Sequence, residues 1–508
     1  MSESRDLSLI LDAKIPLVVI ESPDEKRVLS LLLRLAIKRG VGFYEWSSTR
    51  GLRRGGFGEE LSAHPTPGSG TEAEIPLDEP EALLQHIAGK PGPAIYSLCD
   101  FHPYLKGEPK VVRFMKDIAL DYDRLGNTLI LVSHRVDIPA ELSRITASVD
   151  LRLPSDEELR AMVRQNAKDW AELNQGKRVR TDSETLNKLI ANLRGVSHAD
   201  ARILIRHAIF ADGAITDADI PEINRLKFEL LGSEGVLQFE HDSGHFSDIA
   251  GLSNLKQWLD LRKGVFLGDI EAPHGRKRLD PPKGMLLLGV QGSGKSLAAK
   301  AVAGSWGIPL LRLDFGTLYN KYFGETERNL RNSLTQAQMM APCVLWMDEI
   351  EKGLATDGSD NATSKRVLGS LLTWMAENEE PVFLVATSND ISQLPPELIR
   401  KGRLDEVFFV DLPDAKTREE IFHIHLKKRH LDPADFDLDS LVAASEGFTG
   451  AEIEEAIVSA RYLSAARRDK ACTEDIAAAI NRTYPVSVLR AESIQALRSW
   501  AKDRTVPA

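Results

Sequence analysis

Long apolar runs are missing from this chain. No stretch of its 508 residues approaches the roughly 18 consecutive apolar positions that a membrane-crossing helix needs, so no membrane partner is expected. The first twenty residues carry acids near their start and no small-residue cleavage site behind an apolar run, which reads as soluble and unexported. Cysteine is scarce. Cys99, Cys343 and Cys472 stand too far apart to form a ligand cluster and sit in apolar surroundings, as buried free thiols do in a reducing cytosol. Basic excess is missing too: 64 Lys and Arg against 75 Asp and Glu leave a formal charge of -11, which argues against a chain whose main work is neutralising phosphates. Nucleic acid is therefore a disfavoured partner.

What is present is globular composition, 43% hydrophobic and 27% charged, enough to fill several cores. The length exceeds the roughly 250–300 residues at which single cores stop growing, so two or three domains are expected.

Short apolar runs alternate with helix-period segments, the pattern of parallel-sheet α/β modules, and the pattern occurs twice. In the second copy a strand at 285–288 enters a Gly-rich loop and a helix from about Ser296. Strands follow at 310–313, 344–347, 382–387 and 407–410, a five-stranded sheet. Helical segments at 417–430, 441–444 and 451–469 read as a small lid. The first copy runs strand 17–20, helix 25–37, then strands 41–46, 94–98, 128–133 and 149–153. Short stretches repeat as well: Pro139-Ala140-Glu141-Leu142-Ser143-Arg144 resembles Pro395-Pro396-Glu397-Leu398-Ile399-Arg400. An internal duplication follows. Residues 48–76, rich in Gly, Ser, Thr and Pro, read as a mobile surface loop, and 232–247 as the inter-module linker. The expected domains are 1–154, an α/β module without a phosphate loop; 155–235, helical; 236–415, the large nucleotide-binding part; and 416–508, the helical lid and an extension.

Gly289-Val290-Gln291-Gly292-Ser293-Gly294-Lys295-Ser296 is a G-x-x-x-x-G-K-S phosphate loop where a strand ends and a helix, opening with Ser296 and Leu297, begins. Its glycines let backbone N–H groups converge on phosphates. Lys295 can reach the β- and γ-phosphates of ATP, and the Ser296 hydroxyl can ligate Mg²⁺. A second apolar strand, Cys343-Val344-Leu345-Trp346-Met347, ends in Asp348-Glu349 at the carboxyl edge of the sheet, where ligands sit in such folds. Asp348 suits the Mg²⁺ shell and Glu349 the polarisation of an attacking water.

With these motifs the stretch from Phe246 to Arg468, about half the chain, resembles the AAA ATPases in the narrow sense, within the wider AAA+ class. The resemblance implies a fold: a P-loop AAA+ α/β module with a five-stranded parallel sheet and a helical lid, here preceded by a degenerate module of the same α/β kind. It also implies roles. Asp248, Ile249, Ala250 and Gly251 match the segment whose backbone reads adenine, with Ala250 where a glycine is usual. Gly450 and Ala451 match a second sensor that lacks arginine. Asn389 matches the polar sensor of the γ-phosphate, and Arg400 and Arg403 the fingers that reach a neighbouring subunit, which implies a homo-hexameric ring. Tyr322 and Phe323 match the pore loop that grips a threaded polymer. Val290-Gln291 depart from the usual prolines, and Glu351-Lys352 from the usual Asp. Taken whole, the chain resembles two-module AAA proteins of some plastid genomes and cyanobacteria, the hypothetical-chloroplast-reading-frame group. A cytoplasmic or stromal location follows from that.

In the first module Glu21-Ser22-Pro23-Asp24-Glu25-Lys26 fills the slot of the phosphate loop with acids and without glycines, which opposes ATP by charge and sterics. Asp100 is followed by Phe101, so no counterpart of Glu349 exists, and His134 falls near the slot of Asn389. Arg144, in the slot of Arg400, reads as a relic in preference to a contact with a neighbouring subunit. The preferred expectation is an ATP-hydrolysing ring that remodels or threads an unidentified protein client. Two others stay open: a slow, nucleotide-gated regulatory scaffold, and handling of single-stranded nucleic acid, motivated by Arg276-Lys277-Arg278 and Lys427-Lys428-Arg429.

Overall fold

The computed structural model describes residues 2–55, 77–232, 236–241, 244–268, 279–320, 326–354, 361–400 and 402–508. They form two compact units: Met1–Ser155 with Ser197–Ile203, and Asp156–Val196 with Leu204–Ala508.

The first unit is built on β1 (Leu17–Glu21), β2 (Gly42–Ser47), β3 (Gly51–Arg54), β4 (Ala94–Cys99), β5 (Asn127–Ser133) and β6 (Thr146–Asp150). The sheet order is β3-β2-β4-β5-β1-β6. All pairings are parallel except β2 with β3. Every residue of β4 and β5 is buried, which is why both read as unbroken apolar runs instead of alternating ones. The strand β3 corrects the expected surface loop at 48–76. Leu52 pairs with Trp46 and packs on the core beside it, so a short hairpin forms before residues 56–76, which lie outside the described residues. The last strand lies earlier than its apolar residues suggest, because pairing of Leu17 with Thr146 sets the register.

The second unit has β7 (Leu237–Glu240), β8 (Gly284–Gly289), β9 (Leu310–Leu313), β10 (Cys343–Met347), β11 (Val382–Ser388), β12 (Glu406–Val410) and β13 (Val506–Pro507), in the order β13-β12-β8-β11-β10-β9-β7. The expected five parallel strands are its centre. Two edges are added: β7 lies antiparallel on β9, inside the segment read as a linker, and β13 lies parallel on β12. Both are short strands whose stabilisation comes from the partner, so neither leaves a periodicity to read. With β3, β7 and β13 set aside, the five remaining strands of each unit run fifth-first-fourth-third-second in chain order. The duplication is therefore carried by topology as well as by sequence.

Within the second unit, helices Asp156–Leu173, Ser183–Asn192 and Ile220–Leu230 precede the sheet. Lys227 is 1% exposed, and its Nζ donates to Asn192 O at 2.9 Å and Arg194 O at 2.5 Å. Burial pushes this amine down to about 7. Gly195, at φ +80°, lies so close to Met339 O that a Cβ would come within 2.4 Å of it. After β12 come the lid helices Ala415–Lys428, Leu438–Ala444, Gly450–Arg467 and Thr473–Asn481, whose core gathers Phe422, Leu426, Ile453 and Ile457. Cys99 and Cys343 are buried as expected. Cys472 is not; it is half-buried, and its thiol donates to Asp475 Oδ2 at the start of a helix, a polar setting that an apolar neighbourhood in sequence did not reveal.

Candidate functional site

Strand β8 opens through residues 290–294 into the helix Lys295–Trp306. Gly289 passes so near β12 that a Cβ would meet Val410 O at 2.0 Å. Gly292 and Gly294 take φ of +80° and +97°, a left-handed conformation that a side chain strains. These turns fold the loop back over the helix N-terminus, where amide N–H groups lack intrahelical partners. Lys295 is buried, and its Nζ donates to Gly289 O at 2.9 Å and Val290 O at 2.8 Å. Burial pushes the amine down to about 8 while Glu351, Asp348 and Glu349 pull it up. Ser293 Oγ is buried without a protein partner, an orphaned donor in the middle of the loop.

Beside the loop, β10 delivers Asp348 and Glu349. Asp348 Oδ1 accepts from Ser296 Oγ at 3.2 Å and from Thr387 Oγ1 at 2.7 Å, and Arg312 Nη2 lies 3.7 Å from Oδ2. Glu349 sits at φ +48°, uncommon for a residue with a side chain, and its N–H donates to Thr387 Oγ1 at 2.9 Å. Its carboxylate accepts from Asn389 Nδ2 at 3.0 Å and from Lys352 Nζ. The Asn389 backbone N–H donates to Glu351 Oε1 at 2.9 Å.

A cavity of about 360 Å³ joins these groups. Its phosphate end is formed by residues 291–297 together with Asp348, Glu349, Thr387 and Asn389; its other end by Asp248, Ile249 and Ala250 facing Ile421, Ile424 and His425 of the first lid helix, with Gly450 and Ala451 closing it. Gly251, Gly289 and Val290 do not line the cavity; the Gly251 N–H donates to Glu420 Oε2 at 3.1 Å. Arg400 and Arg403 are not on the cavity, and Arg403 Nη1 donates to Glu397 O at 2.8 Å. Tyr322, Phe323 and Arg276-Lys277-Arg278 lie outside the described residues.

Sequence reasoning missed several lining side chains. Thr387 carries no motif of its own in the sequence, yet its hydroxyl bonds the Asp348 carboxylate and the Glu349 backbone N–H at once. Ile421, Ile424 and His425 recur at the i, i+3, i+4 spacing of one helix face, a signal that was readable. His425 is pushed below its ordinary value by burial, with Glu454 opposing that shift.

The oxygen set suits a magnesium nucleotide. Mg²⁺ takes hard oxygen ligands, and here one carboxylate and one hydroxyl, Asp348 and Ser296, converge beside an orphaned Ser293 hydroxyl and a buried amine that phosphates would satisfy. Among the described residues no group of three or more His, Cys, Asp or Glu is placed to hold a metal ion.

The first unit keeps a trace of the same corner. Ser133 Oγ donates to Asp100 Oδ1 at 2.8 Å, and Asp100 sits at φ +50°. But Asp24 caps the following helix, its carboxylate accepting from Arg27 N at 3.2 Å, so a side chain of this chain occupies the position where phosphate oxygens would bind.

A fifth-first-fourth-third-second parallel sheet, a glycine-rich loop opening a helix, paired carboxylates at the end of β10 and a helical lid define a phosphate-loop nucleotide-binding module. Its sequence matches the ATPase family associated with various cellular activities (AAA) over residues 285–412. The SpoVK-like AAA ATPase N-terminal domain matches residues 3–151, and the second domain of that kind 157–234. The AAA domain-containing protein ycf46 of Guillardia theta is 33% identical over 506 residues, 99% of this chain and 95% of its own. That of Pyropia yezoensis is 33% identical over 510 residues, 99% and 98%. The proteasome-activating nucleotidase of Aeropyrum pernix is 35% identical over 239 residues, 45% of this chain and 57% of its own. The chain belongs to the AAA ATPase family, in the group of the ycf46 proteins. Among the described residues no helix is long and apolar enough to cross a membrane.

Proposed function

We propose that the protein is a Mg²⁺-dependent ATPase with one competent site per chain, working as a homo-hexameric ring in the cytoplasm or stroma. The observation that carries this reading is the convergence of Lys295, Ser296, Asp348, Glu349 and Asn389 on one cavity whose far end is apolar. Residues 289–296 hold the triphosphate through backbone N–H groups, and the Lys295 amine exchanges its two loop carbonyls for phosphate oxygens. Ser296 and Asp348 would hold Mg²⁺, which when bound neutralises charge on the phosphates. Glu349 orients the attacking water and takes its proton, and Asn389 sits beside it to sense the γ-phosphate. Ile249, Ile421 and Ile424 bury the base. Arg400 and Arg403, away from their own cavity, serve the next subunit. The first unit, with acids where a phosphate loop would stand, does not hydrolyse ATP.

We take the work done to be remodelling or threading of a protein client by Tyr322 and Phe323; similarity to a proteasome-activating nucleotidase supports that class of client. A second reading, a slow nucleotide-gated scaffold, is favoured by two contacts: Asn389 and Lys352 both engage the Glu349 carboxylate, which keeps the general base occupied. Tyr322→Ala separates the two. Loss of turnover stimulated by an unfolded protein supports threading, and unchanged turnover supports the scaffold. The ATPase reading itself is tested by calorimetry: well-folded protein that takes up no ATP in the presence of magnesium refutes it.

A further inference from the structure

The turn that carries Arg400 and Arg403 is fastened to the start of β8 by two side chains that no part of the site uses. Asp405 Oδ2 accepts from two successive amides, Lys283 N at 2.7 Å and Gly284 N at 3.0 Å, and the Asp405 N–H donates to Gly284 O at 2.9 Å. Lys283 returns the grip: its Nζ donates to Gly402 O at 3.2 Å and to Met375 O at 3.3 Å, the latter near the carboxyl end of the helix Asn361–Glu377. Carboxylate-to-amide bonds of this kind are roughly twice as strong as neutral ones, and an ammonium beside a helix carboxyl end is favoured by its dipole. Gly402 stands between the two arginines at φ +98°, and Arg403 N donates to Arg400 O at 3.4 Å, so its carbonyl is the point at which the turn is held.

The strand end it is tied to has no slack. Lys283 O accepts from Leu384 N at 2.9 Å, and a Cβ on Gly284 would meet Leu384 O at 2.2 Å. The clasp therefore references the turn to the rigid sheet centre. It does so at the amino edge of β8, whereas the phosphate loop leaves the carboxyl edge of the same strand, six residues away and about 20 Å at the rise of an extended chain. Neither Lys283 nor Asp405 borders the cavity of its own chain.

We propose that Lys283 and Asp405 are positioning residues for the arginine fingers, so that they govern hydrolysis in the neighbouring subunit and not in their own. This rests on the proposed trans action of Arg400 and Arg403. The clasp fixes the carbonyl between the fingers, and the fingers stabilise charge on a phosphoryl group across the subunit boundary.

The experiment uses full-length Lys283→Met and Asp405→Asn, two variants so that a folding failure of one leaves the other. Each is expected to lower kcat about tenfold or more, a fraction of the 10³–10⁵ an arginine finger supplies, while the dissociation constant for ATP stays within about twofold. Each variant is then co-expressed with Glu349→Gln, and mixed rings are isolated through a different tag on each chain. A Lys283→Met site facing a Glu349→Gln finger turn regains turnover, so the mixture exceeds the sum of its parts. Arg400→Ala mixed with Glu349→Gln is the reference. If the reference pair recovers turnover and the Lys283 and Asp405 pairs do not, the clasp acts within its own chain and the proposal is overturned. If the reference pair fails, or yields no mixed ring, the trans-finger reading falls and the proposal with it. Parental kcat in both single variants overturns the proposal directly.

Discussion

Thr387 and Asp348 meet across adjacent strands, the Thr387 hydroxyl donating to the Asp348 carboxylate at 2.7 Å while accepting from the backbone N–H of Glu349 at 2.9 Å. One oxygen thus orients both acids of the candidate site. Ser133 and Asp100 repeat the hydroxyl–carboxylate half of this arrangement in the first unit at 2.8 Å, where no phosphate loop accompanies it. The hydroxyl–carboxylate contact is thus present in both units, the phosphate loop in one.

Removing that hydroxyl leaves Asp348 free to turn and the Glu349 amide without its acceptor. Thr387→Val is expected to lower turnover by about 10–100-fold, the usual effect of losing a group that orients a metal-binding carboxylate. Thr387→Ser, which keeps the oxygen, stays near the parent. Steady-state ATPase rates across a magnesium titration check it, and equal rates for Val and Thr would remove Thr387 from the site.

The two acids and the loop lysine are expected to fail in different ways. Glu349→Gln binds ATP as the parent does but loses about 10²–10⁴ in turnover, the range a positioned base contributes. Lys295→Ala loses nucleotide affinity first, because the buried amine is the cation nearest the loop. Equilibrium binding and single-turnover hydrolysis on the same samples distinguish them. Equal hydrolysis by the Gln variant and the parent refutes the assignment of the base.

The lid wall of the cavity is apolar where a base would lie. Ile424→Asp places a carboxylate there and is expected to weaken ATP binding at least about tenfold, or 1.4 kcal/mol, with little change in kcat at saturation. Titration with a fluorescent ATP analogue reads the shift, and an unaltered dissociation constant would move the base elsewhere.

Lys227 makes stability depend on pH. Its amine is pushed down to about 7 by burial and stays near 10.5 when unfolded, so the unfolded chain binds more protons between those values and the folded state gains stability as pH rises through them. Lys227→Met removes that slope, and leaves Asn192 O and Arg194 O without their donor at a cost of about 1–3 kcal/mol. Urea unfolding at pH 7 and pH 9 is the measurement. The deficit of the Met variant should grow with pH, and a constant difference would contradict the buried amine.

The phosphate loop and the acidic strand were legible because phosphate chemistry demands contiguous residues: glycines where φ turns positive, a lysine and hydroxyl at a helix start, acids at a strand end. The lid-side wall was half legible, with Ile421, Ile424 and His425 spaced on one helix face but with nothing in the sequence to say what that face meets. The strands β3, β7 and β13 were not legible at all. Each is at most four residues long, and a strand that short is defined by its neighbour, not by its own pattern. Read locally, Gly and Ser near β3 mean a loop; paired with β2, Leu52 has a core to fill.

Sequence alone determined the class of module, the order of its motifs and the loss of the phosphate loop in the first half, since each is set by residue type along a few consecutive positions. Only the tertiary structure decided which side chains share a cavity, how Thr387 serves two acids, and how Lys283 and Asp405 pin the turn between Arg400 and Arg403. Those relations join residues tens to more than a hundred positions apart, and they are brought together by the register of the strands and the packing of the lid helices on the cavity.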